Sequence, residues 1–240
     1  MNRQKPVLGV LGGMGGLASA EFVKTVYEIS GETCPREQSA PAVVMYSDPT
    51  FPDRTEAFLR GETQPLLTRL IGALELLRGM GATHLVICCM TIHYLLPQVP
   101  YGLRERIISL TDVIFSSVEL LKKKHLVISS RGTIKLELLQ RHPRWECARN
   151  YFVFPSQGEQ LQMHDLIYEM KLNRSLDGAR RYVETLLDRY HLDSFVAACS
   201  EIHLFAKQFA PSSALQRGYG CLDPLAIIAS QVVEQNKYEA

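Results

Sequence analysis

The sequence has no C-x-x-C pair, no Gly-Lys-Ser/Thr after a glycine turn, and no uninterrupted apolar run long enough to cross a bilayer. Like charge is scarce too: Lys122-Lys123-Lys124 is the one basic run, and the formal net charge is +1. Each shortage removes a class. Cysteines without C-x-x-C spacing match no compact zinc motif, and a chain of 240 residues needs no disulfide staples, so the six cysteines read as reduced thiols in a cytoplasmic protein. The glycine turn GGMGG, residues 12–16, is neither G-x-G-x-x-G nor a P-loop, which argues against a nucleotide site. A short lysine run before an apolar strand is a solvated helix end, not a nucleic-acid footprint, and no segment reads as a membrane span. The start, MNRQKPVLGVLGGMGGLASA, imitates a signal peptide, but Gly9, Gly12, Gly13, Gly15 and Gly16 would make a poor helical core for one. A strand, a glycine turn and a helix explain the same letters better.

What is present is an alternation of apolar runs and amphipathic stretches, in a chain that is 46% apolar and 21% charged. Strands are expected over 6–13, 42–48, 84–89, 125–130, 150–156 and 194–199. Helices are expected over 18–30, 65–81, from about 134, 160–172, 174–190 and 224 to about 235. Continuously apolar strands separated by helices imply parallel sheets covered on both faces. The expected fold is therefore α/β: two similar Rossmann-like or flavodoxin-like domains, related by a rough pseudo-twofold, with the active site in the cleft between them. The expected division is 1–98 with the returning segment 212–240, and 99–211.

A short repeat supports that division. LVICCMTIHYL (85–95) and FVAACSEIHLF (195–205) align Cys89 with Cys199, Ile92 with Ile202 and His93 with His203. Ligands of open parallel sheets bind beyond the carboxyl ends of the strands. That rule gathers Gly12–Gly16, Ser47-Asp48, Cys89–Thr91, Ser129–Arg131 and Cys199–Glu201 in one region, with the two thiols opposed. A thiol ordinarily titrates near pH ~8.5, and lower at a helix N-terminus, where both cysteines are expected. A thiolate and a thiol on opposite faces of a carbon can remove one proton and return another, which inverts the centre without a cofactor. The glycine loop and turn hydroxyls would supply donors for the developing enediolate-like charge.

Other readings use the same letters. A cysteine is often a small buried apolar residue, and that is the reading for Cys34, Cys88, Cys147 and Cys221. His93 and His203 tune a thiol, bind substrate or serve the fold. Zinc on Cys88, Cys89, His93, Cys199 and His203 lacks a matching spacing, and a Cys-His hydrolase would need only one cysteine.

The motifs VLGVLGGMGGLASAEF, DPTFPDRT, the Cys89 turn, SSRGT, PSQGEQ, the Cys199 turn and LDPLAIIA occur in an order that resembles the aspartate/glutamate racemases, most of all their aspartate branch. The resemblance spans nearly the whole chain. It implies a two-domain α/β fold, no pyridoxal phosphate or other cofactor, a small amino-acid substrate, a homodimer, and Cys89 and Cys199 as opposed bases. By position it places Gly12, Met14, Gly15, Met90, Thr91, Ser130, Ser200 and Glu201 along the substrate site, and Arg54 at a distal carboxylate, which a guanidinium grips with parallel hydrogen bonds.

Four departures from the family pattern stand out. Met90 replaces an asparagine, Ser200 a threonine and Gly16 a proline, and Leu161 aligns with a lysine near the side-chain carboxylate. Met90 and Leu161 would make the pocket more apolar. They keep open a substrate other than aspartate, isomerisation or decarboxylation of a small diacid, or a carboxylate-binding relative without turnover.

Overall fold

The computed structural model describes residues 6–209 and 219–238. Its first half is built from β1 (Val7–Gly12), α1 (Gly16–Thr33), β2 (Ala42–Ser47), α2 (Arg54–Leu59), α3 (Thr63–Gly79) and β3 (His84–Ile87). The short helix α4 (Tyr101–Arg104) and then α5 (Leu110–Leu121) lead into β4 (His125–Ser129), α6 (Arg131–Lys135), α7 (Trp145–Ala148) and β5 (Phe152–Val153). The chain continues through α8 (Gln157–Lys171), α9 (Leu176–Tyr190), β6 (Ser194–Ala198), α10 (His203–Ala206), β7 (Gly220–Leu222) and α11 (Pro224–Tyr238).

All strand pairs are parallel, and they form two sheets, ordered β2-β1-β3 and β5-β4-β6-β7. The first three strands of each half therefore repeat one arrangement, with the leading strand in the middle. β4 and β6 are buried along their whole length, as continuously apolar parallel strands should be. Within them alternate side chains face different cores. Val10, Val86, Val127, Val196 and Ala198 join a central core that also takes Phe22, Phe115, Leu225 and Ile228. Leu85 and Ile87 face a second core under α3, and Leu126, Ile128, Phe195 and Ala197 a third under α8 and α9. The repeat in the sequence is thus a repeat in packing: Val86 and Val196 point inward, while Cys89 and Cys199 each join the outer core of their own half.

Several boundaries differ from the sequence expectation, each for a local reason. Helix α5 falls in a stretch that the periodicity left unassigned. Ser109 caps it by accepting from the Asp112 N–H (3.2 Å), and Leu110, Ile114, Phe115 and Val118 bury one face. β5 pairs over only two residues, because a 3-10 turn at 149–151 precedes it and Pro155, which has no N–H to give, follows soon after. The returning C-terminal segment is also divided in its contacts. β7 adds a fourth strand to the second sheet, and α11 packs on α1 and α5. The expected boundary at 211/212 lies outside the described residues. Among the described residues no helix is long and apolar enough to cross a membrane.

Candidate active site

The loops after β1, β2, β3, β4 and β6 meet around a small pocket. It is lined by Met14, Asp53, Arg54, Thr55, Cys89, Met90, Thr91, Ser130, Lys171, Cys199, Ser200 and Glu201. Both cysteines reach this cavity from different sheets, whereas Ser47-Asp48, expected there from the carboxyl-end rule, is not part of the lining. Their side chains are equally sheltered, with relative exposures of 5% for Cys89 and 6% for Cys199.

The two glycines of the predicted set lie behind this lining. Gly12 is a packing residue: a Cβ there would stand 2.5 Å from Ser19 Oγ, so its absence lets α1 seat against β1. Gly15 has φ +147°, and a Cβ would come within 2.3 Å of Glu201 Oε1. Its lack of a side chain makes room for that carboxylate.

The hydroxyls form a compact group. Thr91 Oγ1 lies 3.2 Å from Ser130 Oγ and 3.1 Å from Thr133 Oγ1, and the last two are 3.3 Å apart. Thr91 comes from the first half and the other two from the start of α6, where Ser130 caps the helix. Gly132 permits the approach, since a Cβ there would meet Thr55 Oγ1 at 2.7 Å.

Arg54 is 8% exposed and starts α2, whose N-cap is Asp53. Its Nη2 donates to Met14 O (2.8 Å) and its Nη1 to Pro52 O (3.0 Å), while the buried Nε has no partner. Burial works against its charge, yet its pKa is raised, because Cys89, Asp53 and Glu201 face the guanidinium. Asp53 also ties the halves together, accepting a 2.6 Å hydrogen bond from Tyr168 on α8. Burial pushes the Asp53 pKa up, but the Tyr168 hydroxyl, the Glu56 N–H, Lys171 and Arg54 outweigh it and leave the group below its ordinary value.

Cys199 has a different neighbour. Its Sγ donates to Glu201 Oε2 at 2.9 Å, and Ser200 Oγ donates to the same oxygen at 3.2 Å. Glu201 is 2% exposed, and its Oε1 has no partner. Burial first, then the Glu201 charge, drive the Cys199 thiol well above the ordinary thiol range. Burial also raises Cys88 and Cys221, which face protein and not the pocket.

Three expectations change here. Neither cysteine sits at the start of a long helix: Cys89 precedes a 3-10 segment, Thr91–Gln98, and Cys199 caps the three-residue turn Ser200–Ile202. The helix-dipole argument for lowering both pKa values therefore fails. The histidines have full-time structural work. His93 Nε2 accepts from the Leu110 N–H (3.2 Å), which fixes the proton on Nδ1 for donation to Cys89 O (2.9 Å). His203 bonds Asp223 through Nδ1 (2.5 Å) and Thr25 through Nε2 (3.0 Å). With all four ring nitrogens engaged, neither histidine is available to a metal at the cysteines, and among the described residues no metal-binding group of three converges. Finally, Leu161 is 43% exposed and lies away from the pocket, whose lysine is Lys171 from the last turn of α8. The pocket has kept a second cation, contrary to the Leu161 reading.

Lys171, Asp53 and Thr55 are lining residues that the motif reading missed. Asp53 had a local signal in the D-x-x-E spacing to Glu56, which marks a helix start. Lys171 had a weaker one, three residues after Tyr168 and so on the same helix face.

A family model for Asp/Glu/hydantoin racemases matches residues 11–232. The chain belongs to the Asp/Glu/hydantoin racemase family. Its fold is similar to that of an aspartate racemase from Picrophilus torridus (TM-score 0.79, 19% identity, covering 96% of this chain and 94% of that one). It is also similar to a putative Asp/Glu racemase from Yersinia pestis (TM-score 0.71, 17% identity, 96% and 99% covered). A glutamate racemase from Campylobacter jejuni matches with a TM-score of 0.57, 16% identity and 98% and 86% coverage. At these identities the likeness establishes the two-domain α/β racemase fold, and the chemistry of this chain rests on its own residues.

Proposed function

We propose that this racemase inverts the α-carbon of an acidic amino acid by transferring protons between Cys89 and Cys199, without a cofactor. The observation that carries the reading is the convergence of both thiols, equally sheltered, on one small pocket that also takes hydroxyls and the cations Arg54 and Lys171. One sulfur takes the α-proton, the electron pair spreads into the α-carboxylate, and the other sulfur delivers a proton to the opposite face. Thr91 and Ser130 supply hydroxyl donors to that carboxylate as its charge grows. Arg54 and Lys171 favour a second acidic group on the substrate, while Met90 gives the pocket an apolar wall.

The test is solvent deuterium incorporation. The protein is incubated in D2O with single enantiomers of Asp, Glu and a panel of apolar amino acids, with Cys89→Ser and Cys199→Ser alongside. Label at Cα with inversion for an acidic substrate, lost in both variants, is the expected result. Inversion that survives either substitution overturns the two-thiol reading, and inversion confined to apolar amino acids overturns the assignment of substrate class.

A further inference from the structure

The two sulfurs share a pocket but have neighbours of opposite charge. Cys89 shares the pocket lining with the buried Arg54 guanidinium, whose positive charge it favours. Cys199 donates to a buried Glu201 carboxylate at 2.9 Å, and that oxygen takes a second hydrogen bond from Ser200. The other oxygen, Oε1, is buried against Gly15 with no donor of its own. A carboxylate held this way offers an acceptor to a thiol and repels a thiolate, whereas a guanidinium does the reverse. The two cysteines are almost equally buried, so the neighbouring charge is the main difference between them.

We propose that Glu201 is a positioning residue that locks the resting proton on Cys199, so that the free enzyme holds Cys89 as thiolate and Cys199 as thiol. This rests on the reading of the two cysteines as the acid–base pair and deepens it by giving the site a direction. The resting enzyme accepts the enantiomer whose Cα–H faces Cys89. The Cα–H bond breaks toward the Cys89 sulfur, and the Cys199 S–H bond breaks to supply the proton for the opposite face. The product complex then holds a Cys89 thiol and a Cys199 thiolate beside the Glu201 carboxylate, a like-charge pair. That form returns to rest when Cys199 takes a proton from water and Cys89 releases one, and no other reactant is needed. Two enantiomers have equal free energy, so kcat/KM must be the same in both directions. The asymmetry therefore appears as kcat and KM values that differ between enantiomers by a common factor.

Gly15 is part of the device. Any Cβ at that position would collide with Glu201 Oε1 and push the carboxylate out of its place beside Cys199.

The test is competitive alkylation of the ligand-free protein with iodoacetamide near neutral pH, read peptide by peptide so that Cys34, Cys147 and the other thiols are scored separately. In the wild type Cys89 should react about tenfold faster than Cys199, or more, since the thiolate is the nucleophile. Glu201→Gln keeps the acceptor but removes the charge, and should raise Cys199 reactivity and narrow the ratio. Arg54→Gln, which removes the cation that faces Cys89, should slow Cys89. Equal rates in the wild type, or Cys199 reacting first, would overturn the inference without reference to any variant, as would an unchanged ratio in a folded Glu201→Gln protein. The assay needs no turnover, so absence of Cα exchange would count against the racemase reading while leaving the alkylation order to judge this one. Where turnover is measurable, the kcat values of the two enantiomers should converge in Glu201→Gln.

Discussion

The Cys89 turn and the Cys199 turn share a sequence pattern, a place in the strand order and a burial pattern, yet they differ in almost every polar contact. After β3 the cysteine carbonyl is held by a neutral histidine, and the sulfur meets an arginine. After β6 the sulfur meets a glutamate, and the histidine is paired with an aspartate. The backbone and apolar positions of the repeat carry the symmetric requirement, two sulfurs around one carbon. On the proposed mechanism the polar positions carry the asymmetric one, an acidic partner for one sulfur and a basic one for the other. Packing tolerates little change at Val86 and Val196, whereas a hydrogen-bond partner is exchanged by a single substitution.

The sharpest way to break the comparison is at the sulfurs. Cys89→Ser and Cys199→Ser should each lower Cα inversion by about 10²- to 10⁴-fold, the range for losing a positioned acid or base. Steady-state assays that find one variant near wild-type rate would show that the two turns are not functional partners. A second break is at the buried His203–Asp223 pair, whose side chains are 0% and 5% exposed and which joins α10 to the start of α11. Asp223→Ala leaves the buried histidine without its hydrogen-bond partner, and denaturant unfolding should register a loss of about 1–3 kcal/mol. His93→Asn, its counterpart in the other turn, should cost a similar amount, because it too removes buried hydrogen bonds.

The His93 side of the comparison also has a pH signature. Burial pushes its pKa down to about 4, against an ordinary value of 6.5, although its bond to Cys89 O and the charge of Asp112 favour protonation. The unfolded chain therefore binds the extra proton in this window, and the folded protein does not. Stability should be full above pH ~6.5 and fall as the pH drops toward ~4, by up to about 3 kcal/mol from this group. His125, buried at the start of β4 and shifted in the same direction to about 4, adds to the slope. Thermal melts at pH 7 and pH 5 should show a smaller drop for His93→Asn than for the wild type. An unchanged drop would assign the effect to other groups.

How much of this was legible in the letters depended on the range of the interactions. Continuous apolar strands announced parallel sheets, and the paired Cys-x-x-Ile-His turns announced both the repeat and the two cysteines that line one pocket. Local caps, such as Asp53 ahead of Glu56 and Ser156 ahead of Glu159, were also present as spacings. What could not be read was the choice of partner across the fold. Nothing in Ser200-Glu201-Ile202 says that Glu201 turns toward the sulfur of Cys199, and nothing near His203 points to Asp223, twenty residues on through another strand. Those contacts are fixed by tertiary packing, which places side chains that neither periodicity nor motif spacing brings together.

Lys171 and Leu161 carry the same lesson at its smallest scale. Both lie on α8, which begins at a capping box formed by Ser156 and Glu159 and is tied to α9 through Tyr190. Ten residues separate them, nearly three helical turns, so a register error in matching this helix to a family pattern moves a charge from the pocket to the surface. In the structure Lys171 lines the pocket, with its ammonium 4.2 Å from the centre of the Tyr168 ring, while Leu161 is exposed. Lys171→Leu should lower kcat/KM for an acidic substrate roughly tenfold, the loss of one charged contact at a half-buried position, and leave an apolar amino acid unaffected. Leu161→Lys should alter neither activity nor stability beyond about 0.5 kcal/mol, the ordinary range for a surface substitution. If Leu161→Lys instead enhanced turnover of aspartate or glutamate, residue 161 would reach the substrate, and the pocket would have to be redrawn around the first turn of α8.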